Sequence, residues 1–343
     1  MEIDERKIKI LRAIISDYIN TGEPVGSRTI ARKYDLGISS ATIRNEMSDL
    51  EDMGYLEHIH ASSGRKPSNK GYRLYVDKLM KLKGVSKEEE ILIKDMLINA
   101  ALFEVDKVLK QTSLLLSRLT KLTCVVKAPS VKKSSIKKIQ LINVDANNVL
   151  LIIVTDSGLI KNNMIRINRA LDNRALMSIS NMLTERLMDL TIEDINLAVI
   201  NSIKSGLKGY DEIFNAIIPV LYESLNPKDN DEVYMEGEAN MLQYQEYNDI
   251  ERAREFLEFL DDKQSLSKIL NTPLDTQVSI GEENYVPQAK DYSVISKAYS
   301  IGKKPMGTVG IIGPTRMDYS KVISILNKVI DMLNENLNNY DDW

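Results

Sequence analysis

The feature that most restricts this chain is a glycine turn set between two short helical stretches near its start. Asp35-Leu36-Gly37-Ile38 separates Arg28–Tyr34 from a longer stretch that ends at Gly54. Ser27 is placed to cap the first of these, and Ser39 or Ser40 the second. Glycine suits the left-handed backbone that so tight a turn requires. A further helix precedes them: Asp4 serves as N-cap, Ile8, Leu11, Ile14, Ile15 and Tyr18 recur at helical spacing, and Gly22 with Pro24 stops it. Helix, short helix, glycine turn and helix, in that order and at those lengths, predict a helix-turn-helix.

The third helix has two faces. At 100° per residue Ile43, Met47 and Leu50 fall together and pack inward, so Thr42, Asn45 and Ser48 point outward with Arg44 on the flank. These are short donors and acceptors plus a guanidinium, groups able to reach base edges and phosphates. Asp49, Glu51 and Asp52 are confined to the far half, which a helix entering a major groove by its N-terminus tolerates. Taken alone, the pattern also fits an ordinary amphipathic surface helix. The next twenty residues favour the DNA-binding alternative. Tyr55-Leu56-Glu57-His58-Ile59 alternates like a strand, Ala61-Ser62-Ser63-Gly64 is a turn, and Arg65-Lys66-Pro67 returns as an edge strand. Ser68 then caps a helix expected over Asn69–Leu82, with Tyr72, Tyr75, Val76 and Leu79 on one side. A basic hairpin beside a helix-turn-helix is a wing, suited to lie along the phosphate backbone. The DNA-contacting set expected is Arg28, Ser39, Ser40, Thr42, Arg44, Asn45, Ser48, Arg65, Lys66 and Lys70.

Charge agrees once it is taken locally. The net charge of the 343-residue chain is −4, yet residues 1–75 carry 12 Lys+Arg against 11 Asp+Glu. No acid occurs from His58 to Val76, where Arg65, Lys66, Lys70 and Arg73 all lie. A basic stripe on a neutral domain is enough for DNA when other parts supply dimerisation. Arg44→Ala and Asn45→Ala are expected to lose operator preference, and Arg65→Ala to weaken all DNA alike.

Other classes are poorly served. Gly307-Thr308-Val309-Gly310-Ile311-Ile312-Gly313 lacks the spacing of a phosphate loop or a dinucleotide fingerprint. With two histidines, both in the wing, no Ser-His-Asp triad has a candidate, so no enzyme is expected. His58 and His60 have no cysteine partner, and neither metal nor cofactor is expected. No run approaches the roughly 20 apolar residues of a membrane helix. The charged start lacks a signal-peptide core, and the single cysteine, Cys124, lies in an apolar run as a buried small side chain. Together these predict a cytoplasmic protein without membrane partners.

Three N-terminal stretches resemble the heat-inducible repressor family HrcA: Pro24-Val25-Gly26-Ser27-Arg28-Thr29-Ile30, Ser39 through Met47, and Ser63 through Arg73. So do Ile280-Gly281-Glu282-Glu283-Asn284 and the longer run from Gly310 to Tyr319. The family's wing carries Thr after its proline, where this chain has Ser68, which keeps the capping hydroxyl. The resemblance implies a homodimer on an inverted-repeat operator upstream of chaperonin and DnaK-type operons, repressing them until heat stress, with a GroE-type chaperonin assisting the repressor. It also implies a GAF-like α/β domain interrupted by an inserted dimerisation domain. The expected class is therefore α+β multidomain: residues 1–86 a winged helix-turn-helix, 87–129 and 231–343 GAF-like, 130–230 the insertion. The alternative is a winged-helix regulator controlled by a small ligand in the GAF-like part.

For the remainder, periodicity predicts a long helical segment over Lys87–Leu122 and a strand meander at Lys138–Val144, Val149–Thr155 and Leu159–Ile167. Helices follow at about 172–190 and 209–226. A helix at Asp249–Asp261, strands at Val278–Ile280, Ser293–Tyr299 and Thr308–Ile312, and a last helix from Asp318 to Leu337 close the chain. From Lys107 to Val144 there are nine basic residues and no acid, and from Asp229 to Asp262 there are 12 acids and two arginines. The two segments are either solvated faces, or facing surfaces within a chain or across a dimer; extra DNA contact by the basic one is a further possibility.

Overall fold

The computed structural model describes residues 3–58, 64–100, 105–130, 133–168, 171–225, 233–270 and 274–338. They form a multidomain α+β molecule. The N-terminal unit, here the head, begins with α1 (Glu5–Thr21), α2 (Ser27–Lys33) and α3 (Ser40–Asp52). A two-stranded antiparallel hairpin comes next, β1 (Leu56–His58) and β2 (Arg65–Pro67), then α4 (Asn69–Leu74), which runs into a π turn at Tyr75–Leu79. The expected hairpin turn, Ala61-Ser62-Ser63, and His60 lie outside the described residues.

Most of the local signals act as expected. Asp4 accepts from the Lys7 amide at 2.8 Å, and Gly22 and Gly37 take left-handed backbone at φ 71° and 67°. Two differ. The cap position of α2 is Gly26, with Ser27 already inside the helix, so no side chain caps it. The helix after Ser68 ends at Leu79 rather than Leu82: the backbone loosens to π geometry and Met80 is extended. The head's core is apolar, with Ile10, Leu11, Ile14, Ile30, Ile43, Leu50 and Leu56 buried.

Beyond the head are two separate sheets. The larger has five antiparallel strands in the order β7-β3-β10-β9-β8. These are β3 (Thr123–Lys127), β7 (Val233–Glu236), β8 (Gln277–Ile280), β9 (Tyr292–Ile301) and β10 (Lys304–Pro314). The helices α5 (Lys87–Ala100) and α6 (Val105–Thr120) pack with α12 (Tyr319–Asn338), which lies along β9. Between β7 and β8 run α10 (Ile250–Asp261) and α11 (Lys263–Ile269); Phe256 and Phe259 meet Tyr292 with ring centroids 5.1 and 5.4 Å apart.

The smaller sheet is the meander β4 (Ile136–Asn143), β5 (Asn148–Thr155) and β6 (Ile160–Arg166), inserted in sequence between β3 and β7. Alternate residues of β5 are buried, as a strand covered on one face requires. Helix α7 (Asn173–Leu187) packs on β4, and the Thr184 hydroxyl exchanges two 3.0 Å bonds with the Ile139 backbone. Helices α8 (Leu197–Gly206) and α9 (Asp211–Leu225) complete this unit.

Strands β3 and β7 and helices α8 and α11 were not among the expected elements. Cys124 is a buried residue of β3, paired across the sheet with Ile311 and Glu236. Burial pushes its thiol up, which keeps it protonated and unreactive. The basic and acidic segments do meet, but through backbone: β3 pairs with β7. Lys137 pairs with Asp189 at 3.0 Å, and Glu246 pairs with Arg316, so charges in both segments have partners elsewhere.

Candidate nucleic-acid interface

The surface expected to meet DNA is built on α3. Its first turn is fixed by Ser39, whose Oγ accepts from the Thr42 amide at 3.1 Å and lies 3.0 Å from the Thr42 hydroxyl. From there the apolar side of the helix, Ile43, Met47 and Leu50, is buried against α1 and α2. Arg44, Asn45 and Ser48 are exposed on the opposite side, and Ser40 and Thr42 are half-buried at its start. Arg28 is exposed on α2. Among the described residues neither Arg28 nor Arg44 forms an ion pair.

Periodicity missed Glu46, which is buried between the apolar residues of α3. It accepts from Lys7 Nζ at 2.7 Å and lies 3.2 Å from Arg6 Nε, while Lys7 also reaches Asp49 at 3.0 Å. The carboxylates around Lys7 hold its ammonium well above its usual range, led by Glu46. Lys7, held by Glu46 and Asp49, therefore pins α1 to α3 beside their apolar contact. Lys33 of α2 pairs with the buried Asp17 of α1 in the same manner. The three helices are thus a rigid support for the exposed face of α3, as a surface that must match a groove needs.

The hairpin's cations behave differently. In β1–β2, Leu56 and Pro67 face inward, Glu57 opposes Lys66, and His58 opposes Arg65. Lys66 pairs with Glu57 at 3.2 Å. Lys70 donates to the Met53 carbonyl at 2.8 Å, at the end of α3, and lies 4.6 Å above the Tyr55 ring. Arg65 donates from Nε to Glu51 at 2.7 Å and bonds to His58 Nδ1 at 2.9 Å. All three are engaged within the head.

One contact region was not foreseen at all: the head is docked on the body. Arg73 donates to Glu283 Oε1 at 2.8 Å, to the Val278 carbonyl at 2.6 Å and to Asp77 at 3.2 Å. Burial works against the charge of Glu283, but Arg73 and the Ile280 amide outweigh it and hold the carboxyl below its usual range. Lys83 pairs with Asp318 at 2.7 Å, and Ser320 donates to the Lys81 carbonyl. Tyr72 and Tyr319 meet at 5.9 Å between centroids. Arg316 pairs with Glu246, lies 5.1 Å from the Tyr244 ring centre and reaches the Ile19 carbonyl at 3.4 Å, beside Gly22 at the end of α1. A cleft of about 490 Å³ lies between the hairpin's outer side and the body, lined by Lys66, Asn69, Tyr72, Arg252, Lys290 and Tyr292 among others. No single stretch signals this interface, because its partners are separated by some two hundred residues in the chain, as Arg73 and Glu283 are.

A family model described as HrcA protein C terminal domain matches residues 106–323. Among curated relatives, the heat-inducible transcription repressor HrcA of Clostridium botulinum (strain Alaska E43 / Type E3) is 57% identical over 340 residues, covering 99% of each chain. The protein of the same name from Acetivibrio thermocellus is 43% identical, covering 98% of this chain and 97% of its own. A crystal structure of a hypothetical protein at 2.2 Å resolution is similar in fold, with a TM-score of 0.67 at 24% identity, covering 98% of this chain and 99% of that one.

Proposed function

Because this chain belongs to the HrcA family of heat-inducible transcription repressors, we propose that residues 1–86 are a winged helix-turn-helix whose α3 enters the major groove of an operator. The chain is a repressor of heat-shock genes and not an enzyme. The observation that carries the DNA reading is the exposed face of α3: Arg44, Asn45 and Ser48 stand out from a helix that Lys7, Glu46 and the apolar core hold still. Asn45 and Arg44 supply base-edge contacts, with Ser39, Ser40, Thr42 and Ser48 around them and Arg28 on phosphate. The hairpin, with Lys66 and Lys70, tracks the backbone as a wing.

Residues 87–129 and 231–343, which hold the five-stranded sheet, are assigned as the GAF-like domain, and 130–230 as an inserted dimerisation domain. One winged helix reads too few base pairs for genomic selectivity, and two related by a two-fold match an inverted repeat. Apolar side chains left exposed on the inserted unit, Met177, Met188, Leu197 and Tyr222 among them, support a second copy as its partner. The operator lies upstream of chaperonin and DnaK-type operons, and a GroE-type chaperonin assists the repressor to its active form. The test is binding to duplexes carrying the family's inverted repeat and to a scrambled control, across salt, with and without chaperonin. Repeat-selective binding improved by chaperonin is the expected result; equal binding to both duplexes in every condition would sink the operator assignment.

A further inference from the structure

Arg65 joins three parts of the head. Its backbone exchanges bonds of 2.8 and 2.9 Å with Val25, in the segment leading into α2. It sits opposite His58 in the hairpin. Its side chain turns back onto α3, with Nε 2.7 Å from Glu51 Oε2 and Nη1 2.9 Å from His58 Nδ1, and is only 19% exposed. His58 Nε2 lies 3.8 Å from Glu51 Oε1, so the three side chains close on one another. A planar guanidinium meets two acceptors at a fixed angle in this way; an ammonium of equal charge does not.

Resting on the DNA-binding reading above, we infer that Arg65 is a positioning residue, which sets the wing against α3 through Glu51 and His58, and that phosphate neutralisation falls instead to cations such as Arg28. To serve a phosphate with the same nitrogens, Arg65 would have to leave Glu51 as an unpaired carboxylate on the helix that approaches a polyanion. Held where it is, Arg65 cancels that charge and fixes the hairpin's angle in one contact. Arg28 is exposed on α2 and forms no ion pair among the described residues.

The two roles differ in what salt reveals. Removing one phosphate contact flattens the slope of log affinity against log salt by about 0.9, whereas a misplaced wing changes selectivity without releasing counterions. The experiment measures full-length protein on the inverted-repeat duplex and on its scrambled control over a range of salt. Arg65→Lys is expected to lower the ratio of the two affinities by several-fold to about a hundredfold, the span of coupling between contacting groups, with an unchanged slope. Glu51→Gln should lower the ratio similarly, and the double variant should do little more than either. The ratio divides out the charge change that affects all duplexes alike. Arg28→Ala should flatten the slope. An Arg65→Lys protein indistinguishable from wild type, or a flattened slope for Arg65→Ala with Glu51→Gln unaffected in ratio, would overturn the inference. A wild-type protein that does not distinguish the duplexes would overturn the DNA reading beneath it.

Discussion

Inside the head, Ile10, Ile14, Ile30, Ile43 and Leu50 are fully buried, and charges serve only to pin helices already held by that core. Where the head meets the body the proportions reverse. Arg73 with Glu283, Lys83 with Asp318 and Arg316 with the Ile19 carbonyl cross the contact, and Tyr72 meets Tyr319 there. Apolar burial is insensitive to salt and to mild acid, whereas partly exposed ion pairs respond to both. The difference gives the molecule a head that stays intact and a junction whose strength depends on conditions.

The largest expected effect tests the first half of that contrast. Leu50→Ala removes a fully buried side chain from the head and should cost about 2–5 kcal/mol, read as a lowered denaturant midpoint for the head. A loss below about 1 kcal/mol would mean that the charges, not the core, hold it. Next comes Arg73→Ala, which removes three contacts to the body or within its own helix while leaving the head's core untouched. Protease cleavage within residues 80–86 should quicken while amide exchange in α1 and α3 stays slow; faster exchange in both would show the two regions to be one unit. Acid should act in the same direction. Because the folded-state carboxyl of Glu283 is lowered from 4.5, its contribution is present above that value and is lost as pH falls through the lowered one. Cleavage within 80–86 should therefore rise below about pH 4.5 in wild type and show less of this rise in Glu283→Gln. The smallest effect belongs to Lys83→Ala. Its pair with Asp318 is largely exposed and should contribute about 0–1 kcal/mol, less at high salt.

The same contrast explains what could be read from the residues alone. The periodic placing of Ile43, Met47 and Leu50, and the left-handed glycine at 37, are local signals, and α1, α2, α3 and the hairpin result from signals of this kind. Strands β4 to β6 announce themselves by alternation. Strands β3 and β7 do not: five and four residues are too few to show a period, and they form by pairing, β7 with β3 and β3 with β10. Helix α8 was missed because Leu197-Ala198-Val199-Ile200 has no polar face to mark its period, although Asn196 caps it. At the candidate interface, the exposed residues of α3 were identified from spacing. The setting of Arg65 was not, because a sequence displays a cation without its partner, and Glu51 lies fourteen residues earlier on a different element. Glu46 hid for the same reason, its partner Lys7 being thirty-nine residues away.

The end of α1 shows how far such pairing reaches. Gly22 closes the helix in left-handed backbone, and a Cβ there would come within 3.0 Å of the Arg316 guanidinium. The body's arginine thus supplies the positive charge that a helix C-terminus favours and that the last turn of α1 lacks. The head is in this sense not a portable cassette. Grafted onto a foreign body it would keep its core and the exposed side chains of α3, yet lose the counter-charge at Ile19 and the surface against which Gly22 is bare. A chimera that is to orient the head as this protein does must bring its own arginine to that helix end.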